Sequence, residues 1–196
     1  TRFPEETMRS NGYFVQDQIA LADSFFATVG VRVDDHQEFG TKTTYRIAPA
    51  YVIRETGTRL KATYGTGFKA PTLFQLFSSF GNPDLDAETS QSWDVGVEQS
   101  FWGERARVGV TYFNNEFDDL IDFVSTGAFT GTYRNVDEAW SRGWELTGQV
   151  QPCKGLTLRG SYTHQETRDR EANDELLRRP RNSASGDAVY TFDDGK

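Results

Sequence analysis

Leu156-Thr-Leu-Arg-Gly-Ser-Tyr-Thr163 decides the fold. Its even positions hold Leu156, Leu158, Gly160 and Tyr162, and its odd positions hold Thr157, Arg159, Ser161 and Thr163. Successive side chains of a strand point to opposite faces, so this pattern gives one apolar and one polar face. Ala106 to Tyr112 repeats it, with Ala106, Val108, Val110 and Tyr112 against Arg107, Gly109 and Thr111. So does Phe25 to Val33, where Phe25, Ala27, Val29, Val31 and Val33 face away from Phe26, Thr28, Gly30 and Arg32. Leu60, Ala62 and Tyr64 follow the same rule, as do Trp93, Val95 and Val97, and Trp140, Trp144, Leu146 and Val150. Helical spacing accounts for none of these sets.

Extended along the chain, the alternation predicts an all-β antiparallel meander of about nine long strands. They fall near 11–22, 24–35, 41–54, 58–67, 90–101, 105–117, 134–151, 155–167 and 181–192. Most reach about ten residues, against about five to six in soluble sheets. A tilted strand crossing a membrane needs about 9–11. Short links at Ala22-Asp-Ser24, Glu55-Thr-Gly57, Trp102-Gly-Glu104 and Pro152-Cys-Lys-Gly155 alternate with longer segments 68–89, 118–133 and 168–180, and only 36–40 breaks the rule. Tight turns at one end and long loops at the other are the habit of outer-membrane barrels. Tyr13, Phe25, Trp93, Trp140 and Phe192 lie near strand ends, where interfacial aromatic girdles form.

Composition agrees once the apolar face is counted by strand. Hydrophobic residues make up 36 % of the 196 and aromatics 14 %, and the mean hydropathy is −0.64. No apolar run approaches the roughly 20 residues of a spanning helix, whereas a barrel strand shows lipid only every second residue. The net charge of −8 argues against a nucleic-acid partner, and Arg178, Arg179 and Arg181 read as a rim or loop cluster. Cys153 is the one cysteine, so no intramolecular disulfide forms. Thr1-Arg-Phe-Pro-Glu-Glu lacks the pattern of a secretory signal, which fits an internal segment.

Catalysis finds little support. The histidines are His36 and His164 alone, and no His-Glu metal pair, phosphate loop or nucleophile elbow occurs. Asp34, Asp35 and Glu38, and separately Glu116, Asp118, Asp119 and Asp122, carry oxygen ligands of the kind calcium takes, but without calcium-hand spacing they read as solvated acidic loops. Neither a metal nor a cofactor is expected. Alternation alone also fits a soluble β-domain acting as a binding or adhesion module. Strand length, loop sorting and aromatic placement favour the barrel.

Tyr64-Gly-Thr-Gly-Phe-Lys-Ala-Pro-Thr-Leu-Phe-Gln-Leu-Phe77 is followed by Gly81-Asn-Pro-Asp-Leu-Asp-Ala-Glu88 and Ser92-Trp-Asp-Val-Gly-Val-Glu98. This order resembles the barrel of TonB-dependent receptors: a strand ending in Gly-x-x-x-Lys-Ala-Pro, a loop with Asn-Pro-x-Leu-x-x-Glu, then a strand ending Gly-x-Glu. Tyr13-Phe-Val-Gln-Asp17 resembles the family's strand entry, and Tyr133-Arg-Asn-Val-Asp-Glu-Ala-Trp-Ser-Arg-Gly-Trp-Glu145 its Asn…Ala…Gly-x-Glu strand. Ala87 stands where the family usually has proline.

The resemblance implies structural roles for Lys69, Ala70, Pro71, Asn82, Pro83, Leu85, Glu88, Gly143 and Glu145. Pro71 lacks an N–H and pushes Ala70 to extended geometry, closing off strand pairing at a rim; Asn82-Pro83 opens a turn; Gly143 and Gly96 spare room at strand crossings. Pro49, inside an expected strand, requires a bulge or strand end. Asp17 and Arg142 fall on the apolar register and are expected near an interface. The family forms 22-stranded barrels around a plug, so residues 1–196 read as a barrel segment, with plug and C-terminal closing strands outside it.

The implied function is TonB-energised uptake of cobalamin or a ferric siderophore across a Gram-negative outer membrane. The partners implied are that ligand, outer-membrane lipid, and TonB through the plug. The run from Leu73 to Glu98 and Leu176-Leu-Arg-Arg179 resembles the cobalamin branch more than the siderophore or haem branches. Phe77, Phe80, Phe117, Phe123, Phe129 and Tyr133 are the candidate loop contacts for a large planar ligand, with packing of loop on loop as the competing role.

Overall fold

The computed structural model describes residues 6–170, 173–176 and 179–192. Nine strands form one sheet in chain order, each antiparallel to the next. They are β1 (Ser10–Leu21), β2 (Phe25–His36), β3 (Gly40–Ile53), β4 (Thr58–Lys69), β5 (Glu88–Phe101), β6 (Ala106–Gly127), β7 (Thr130–Cys153), β8 (Leu156–Asp169) and β9 (Asn182–Tyr190), with one short helix, α1 (Leu73–Phe77), between β4 and β5. Leu177 and Arg178 of the cobalamin-like stretch lie outside the described residues.

Register carries the alternation across the whole sheet. Leu60 pairs with Val97, Val97 with Val110, Val110 with Leu146 and Leu146 with Tyr162, so the apolar residues of neighbouring strands share one face. The partner face carries Arg59, Lys61, Glu98, Arg107, Glu145, Arg159 and Asp187. An aromatic row crosses the apolar face: Tyr45 lies 5.8 Å from Tyr64, Trp93 5.5 Å from Tyr112, and Tyr112 4.8 Å from Trp144, centroid to centroid. Phe25, Tyr51, Phe101, Tyr190 and Phe192 form a second row at the turn end. Trp93 and Phe101 are eight residues apart on β5, which is about 27 Å along the strand and about 20 Å at barrel tilt, close to the usual apolar band of about 25 Å.

The turn end is built from left-handed residues. Trp102, Gly103 and Glu104 have φ of 53°, 63° and 68°, the conformation whose twist suits a tight hairpin. Pro49 lies inside β3, and there the β3–β4 ladder lapses between Ile47↔Tyr64 and Ala50↔Lys61 without changing register. The missing N–H is thus accommodated by a local gap and not by a bulge.

Residues 118–133 are not a loop. β6 runs 22 residues and β7 24, about 70 Å or more of strand, and they continue as a two-stranded ribbon beyond the last β5 partner at Thr89↔Asp118. Only Ala128 and Phe129 separate them, with a bulge between Ser125 and Gly127. The far connections therefore include one long loop (70–87), one ribbon and one three-residue turn (37–39), besides the link from β8 to β9. Arg142 lies just outside the aromatic row, stacked 4.2 Å over Trp140 and 3.6 Å from Glu166, as an interfacial cation should. Asp17 departs from expectation: it sits mid-strand opposite Val29, four residues from both Tyr13 and Leu21, and nothing among the described residues accounts for a carboxylate there.

Candidate functional site

Most of the buried apolar residues among those described cluster where the 70–87 loop lies on the β6–β7 ribbon. Leu85 is 3 % exposed, Leu76 5 % and Ala139 2 %, with Val136 and Pro71 also buried. The loop folds because its own residues terminate and cap α1. Thr72 and Gln75 form a capping box, satisfying amide donors that a helix start leaves open. At the other end, Gly81 and Asn82 N–H groups donate to Ser78 and Gln75 carbonyls at 2.9 and 2.8 Å. A Cβ on Gly81 would stand 2.6 Å from the Leu76 carbonyl oxygen, so only glycine lets the chain pass this close. Asn82 Oδ1 then accepts from Asp84 N–H at 3.0 Å, turning the chain across Pro83.

The loop is joined to the ribbon by polar contacts as well as by burial. Tyr133 N–H donates to the Phe80 carbonyl at 3.2 Å, and Asn82 Nδ2 donates to the Tyr133 carbonyl at 3.2 Å. Asn135 Oδ1 accepts from Asp86 N–H at 2.9 Å. Glu88 Oε1 accepts from Lys69 Nζ at 2.7 Å and from Ile121 N–H at 3.3 Å, so one carboxylate ties β4, β5 and β6 together. These bonds close strand edges that would otherwise be open to pairing.

The candidate aromatic residues separate into distinct places. Phe80, Phe123 and Tyr133 come together, with Phe80 5.9 Å and Tyr133 5.2 Å from Phe123, both edge to face. Phe74 joins them 6.3 Å from Tyr133; it was not singled out in the sequence, although it lies between the capping residues Thr72 and Gln75. Gly131 makes the cluster possible, since a Cβ there would meet Phe123 Cζ at 2.5 Å. Phe77 ends α1, exposed and outside the cluster. Phe117 is half-buried on the polar face between Ser90 and Ala139. Phe129 stands at the ribbon tip, 98 % exposed, with φ of 67°. Phe117, Phe123 and Tyr133 are thus strand residues and not loop residues.

Electrostatics around the loop and ribbon are one-sided. Residues 70–87 and 116–138 carry eight carboxylates against one arginine, Arg134. Burial raises the Asp119 carboxyl above the ordinary range, and Asp86, Asp118 and Asp137 raise it further. Among the described residues no three His, Cys, Asp or Glu side chains are placed to hold a metal ion. His36 is buried at the end of β2, its Nδ1 accepting from Glu38 and Phe39 N–H at 3.3 and 3.4 Å, and His164 Nδ1 lies 2.9 Å from Asn182 Oδ1. Both histidines are engaged structurally. Cys153 is the exposed last residue of β7.

Below the loop, the polar face is lined by side chains lying along the wall. Lys61 Nζ reaches Glu98 Oε1 at 2.9 Å, with Arg59 3.9 Å from the same carboxylate. A concavity of about 320 Å³ next to it is lined by Glu98, Arg107, Gln149, Arg159 and Asp187. Glu145 lies on this face, half-buried between Thr111 and Thr163.

The sequence matches the TonB dependent receptor-like β-barrel family over residues 1–196. A vitamin B12 transporter, BtuB of Photobacterium profundum, is 29 % identical over 196 residues, covering 97 % of this chain and 31 % of that protein. A mutant of the ferric enterobactin receptor PfeA of Pseudomonas aeruginosa superposes with a TM-score of 0.76 at 25 % identity, covering 95 % of this chain and 31 % of that one. The siderophore receptor PirA of Pseudomonas aeruginosa gives 0.68 at 27 % identity, over 81 % of this chain and 32 % of that one. The chain thus spans about a third of the length of these relatives, which are a transporter and receptors and not enzymes. A meander with one apolar and one polar face, girdled by aromatic rows, is the wall such proteins need, and the chain belongs to the TonB-dependent receptor β-barrel family.

Proposed function

We propose that this chain is a wall segment of an outer-membrane receptor for TonB-energised uptake of cobalamin or a ferric siderophore. The observation that carries the reading is the continuous apolar face bounded by two aromatic rows, which suits lipid, opposite a charged face that suits a filled lumen. Residues 1–196 constitute barrel alone on this reading, with the plug that engages TonB contributed by other parts of a 22-stranded receptor. The outer membrane of a Gram-negative bacterium is its location. A soluble adhesion module is not favoured, because its apolar face would lie bare to water.

The ribbon and the 70–87 loop project beyond the outer aromatic row and form the ligand-facing end. Phe74, Phe80, Phe123 and Tyr133 offer ring edges to a large planar ligand, and Phe129 reaches furthest. Phe77 and Phe117 contribute from the helix end and the inner wall. Cobalamin is favoured over an iron tris-catecholate. Eight carboxylates, of which Glu138 is paired with Arg170 at 2.6 Å, against Arg134 leave this end net negative, which repels a polyanion, and like-charge juxtaposition lowers both association rate and affinity.

The test is a titration of full-length receptor in detergent, following tryptophan fluorescence with cyanocobalamin and then with ferric enterobactin. Saturable quenching by cyanocobalamin alone supports the reading. A response to ferric enterobactin alone overturns the ligand preference, and no response to either removes the assignment to these ligands.

A further inference from the structure

Asn135 makes three hydrogen bonds that join segments remote in sequence. Its Oδ1 accepts from Asp86 N–H at 2.9 Å, while its Nδ2 donates to the Asp86 carbonyl at 3.1 Å and to the Asp119 carbonyl at 2.6 Å. The two bonds to Asp86 engage both backbone groups of one residue, as a neighbouring strand would. The third reaches β6 where Asp119 adopts φ of 57°, a left-handed conformation uncommon for a residue with a side chain. A primary amide is the side chain that supplies an acceptor and two donors in one plane. Around it stand the carboxylates of Asp86, Asp118, Asp119 and Asp137, with Glu88 and its partner Lys69 at the loop base.

We propose that Asn135 is the clasp that holds residues 70–87 as a strap against the β6–β7 ribbon. It is thereby a positioning residue for the Phe74, Phe80, Phe123 and Tyr133 face, and this second role rests on the proposed function. The other ties are single backbone or side-chain bonds at 3.2–3.3 Å. Asn135 secures the strap near its C-terminal end, at Asp86, just before β5 begins at Glu88. When it is released, the strap is held by its two ends, by apolar contact and by the two longer bonds to Tyr133, and Phe74 and Phe80 are free to shift away from the cluster.

The chemistry gives a pH-reversible variant. Asn135→Asp at neutral pH keeps an acceptor for Asp86 N–H but places a carboxylate against two carbonyls. Protonated, the same side chain regains a donor. Loss of two ordinary hydrogen bonds shifts a docked-to-released ratio roughly thirtyfold. The measurement is pulsed electron spin resonance on the full-length receptor in detergent, with Cys153→Ser and nitroxides on Ser79→Cys (strap) and Thr126→Cys (ribbon).

A single narrow distance is expected with Asn135 intact. Asn135→Asp should broaden it at pH 7.5 and narrow it in part at pH 4.5, where the protonated carboxyl donates to one of the two carbonyls, and Asn135→Ala should broaden it equally at both. An unchanged distribution for Asn135→Asp at pH 7.5 overturns the clasp. Broadening that is undiminished at pH 4.5 overturns it too, because a misfolded ribbon would behave that way. The same variants titrated with cyanocobalamin and ferric enterobactin separate the two ideas. If the strap is released and neither affinity moves, the clasp stands and the ligand face does not.

Discussion

Gly143 and Gly148 lie on the same strand, β7, yet they should respond oppositely to alanine. A Cβ at Gly143 would run into the carbonyl oxygen of His164 and stand 2.8 Å from Gln165 Cα and 3.0 Å from the His164 carbonyl carbon. All three are backbone atoms of β8, which is itself paired with β9 and cannot turn aside. Relief requires β7 and β8 to part locally, weakening about two ladder bonds at ~1 kcal/mol each in addition to overpacking strain of about 1–3 kcal/mol. Gly143→Ala should therefore cost about 2–4 kcal/mol. At Gly148 a Cβ meets nothing within 4 Å, so Gly148→Ala mainly restricts the unfolded chain and should stabilise by about 0.4–1 kcal/mol. The assay is urea unfolding of full-length receptor in lipid vesicles, followed by tryptophan emission and by gel mobility of the folded barrel. Equal midpoints for the two variants, or Gly143→Ala within error of the parent, would refute the close-approach argument.

Four further outcomes are expected. Leu85→Ala should loosen the strap by about 2–4 kcal/mol, read as protease cleavage within 70–87 while barrel mobility on gels stays unchanged. Asp119 has its folded pKa raised by burial and by Asp86, Asp118 and Asp137, so its penalty is full above that value and is relieved as pH falls through it. Asp119→Asn should accordingly increase hydrogen-exchange protection of the ribbon at neutral pH, with the advantage shrinking towards acid. Asp17→Asn removes a carboxylate from mid-strand on the apolar face and should raise vesicle stability by about 1 kcal/mol, less than the cost for arginine at that depth; no change would place Asp17 away from lipid. Phe129→Gly relieves a left-handed residue worth roughly 1 kcal/mol, so a gain in ribbon stability together with weaker cyanocobalamin binding would mark Phe129 as a contact.

The strands were legible wherever two faces meet different surroundings, and illegible where they do not. Leu156 to Thr163 and Phe25 to Val33 alternate because one side is apolar and the other polar, and register then carries the pattern from strand to strand. Residues 118–133 lie beyond the aromatic rows, where Phe123 and Tyr133 are covered by the 70–87 loop and the acidic and glycine residues between them interrupt the alternation. Asp118, Asp119 and Gly127 therefore read as loop although all three lie in β6. The motif residues were visible as types, but their partners were not. Nothing in Tyr133-Arg-Asn135 announces that its amide reaches Asp86 across the chain. The packing of Phe80 on Phe123 likewise depends on Gly131, a residue with no local signal. The cap on α1 was readable as Thr72-x-x-Gln75, but a five-residue helix leaves no periodicity to prompt the search.

The Gly-x-Glu pair in β5 acquires a physical meaning from the polar face. Lys61 is the direct cross-strand neighbour of Gly96, and a Cβ on Gly96 would stand 2.9 Å from Lys61 Cε. The lysine therefore lies flat across the glycine to reach Glu98 at 2.9 Å. Glu98 in turn leans over its own partner Gly109, where a Cβ would come 3.3 Å from Glu98 Cγ. Each glycine is a slot for a neighbour's long side chain, and the glutamate two residues on from Gly96 is the counter-ion. Charges that would otherwise project into the interior are laid along the wall and neutralised there. A half-exposed ion pair of this kind adds little to stability, so its consequence is one of shape: a polar interior surface whose partners are already satisfied. On the proposed reading, an occupant of the lumen meets a wall that holds its own charges, and its departure would leave neither Lys61 nor Glu98 unpaired.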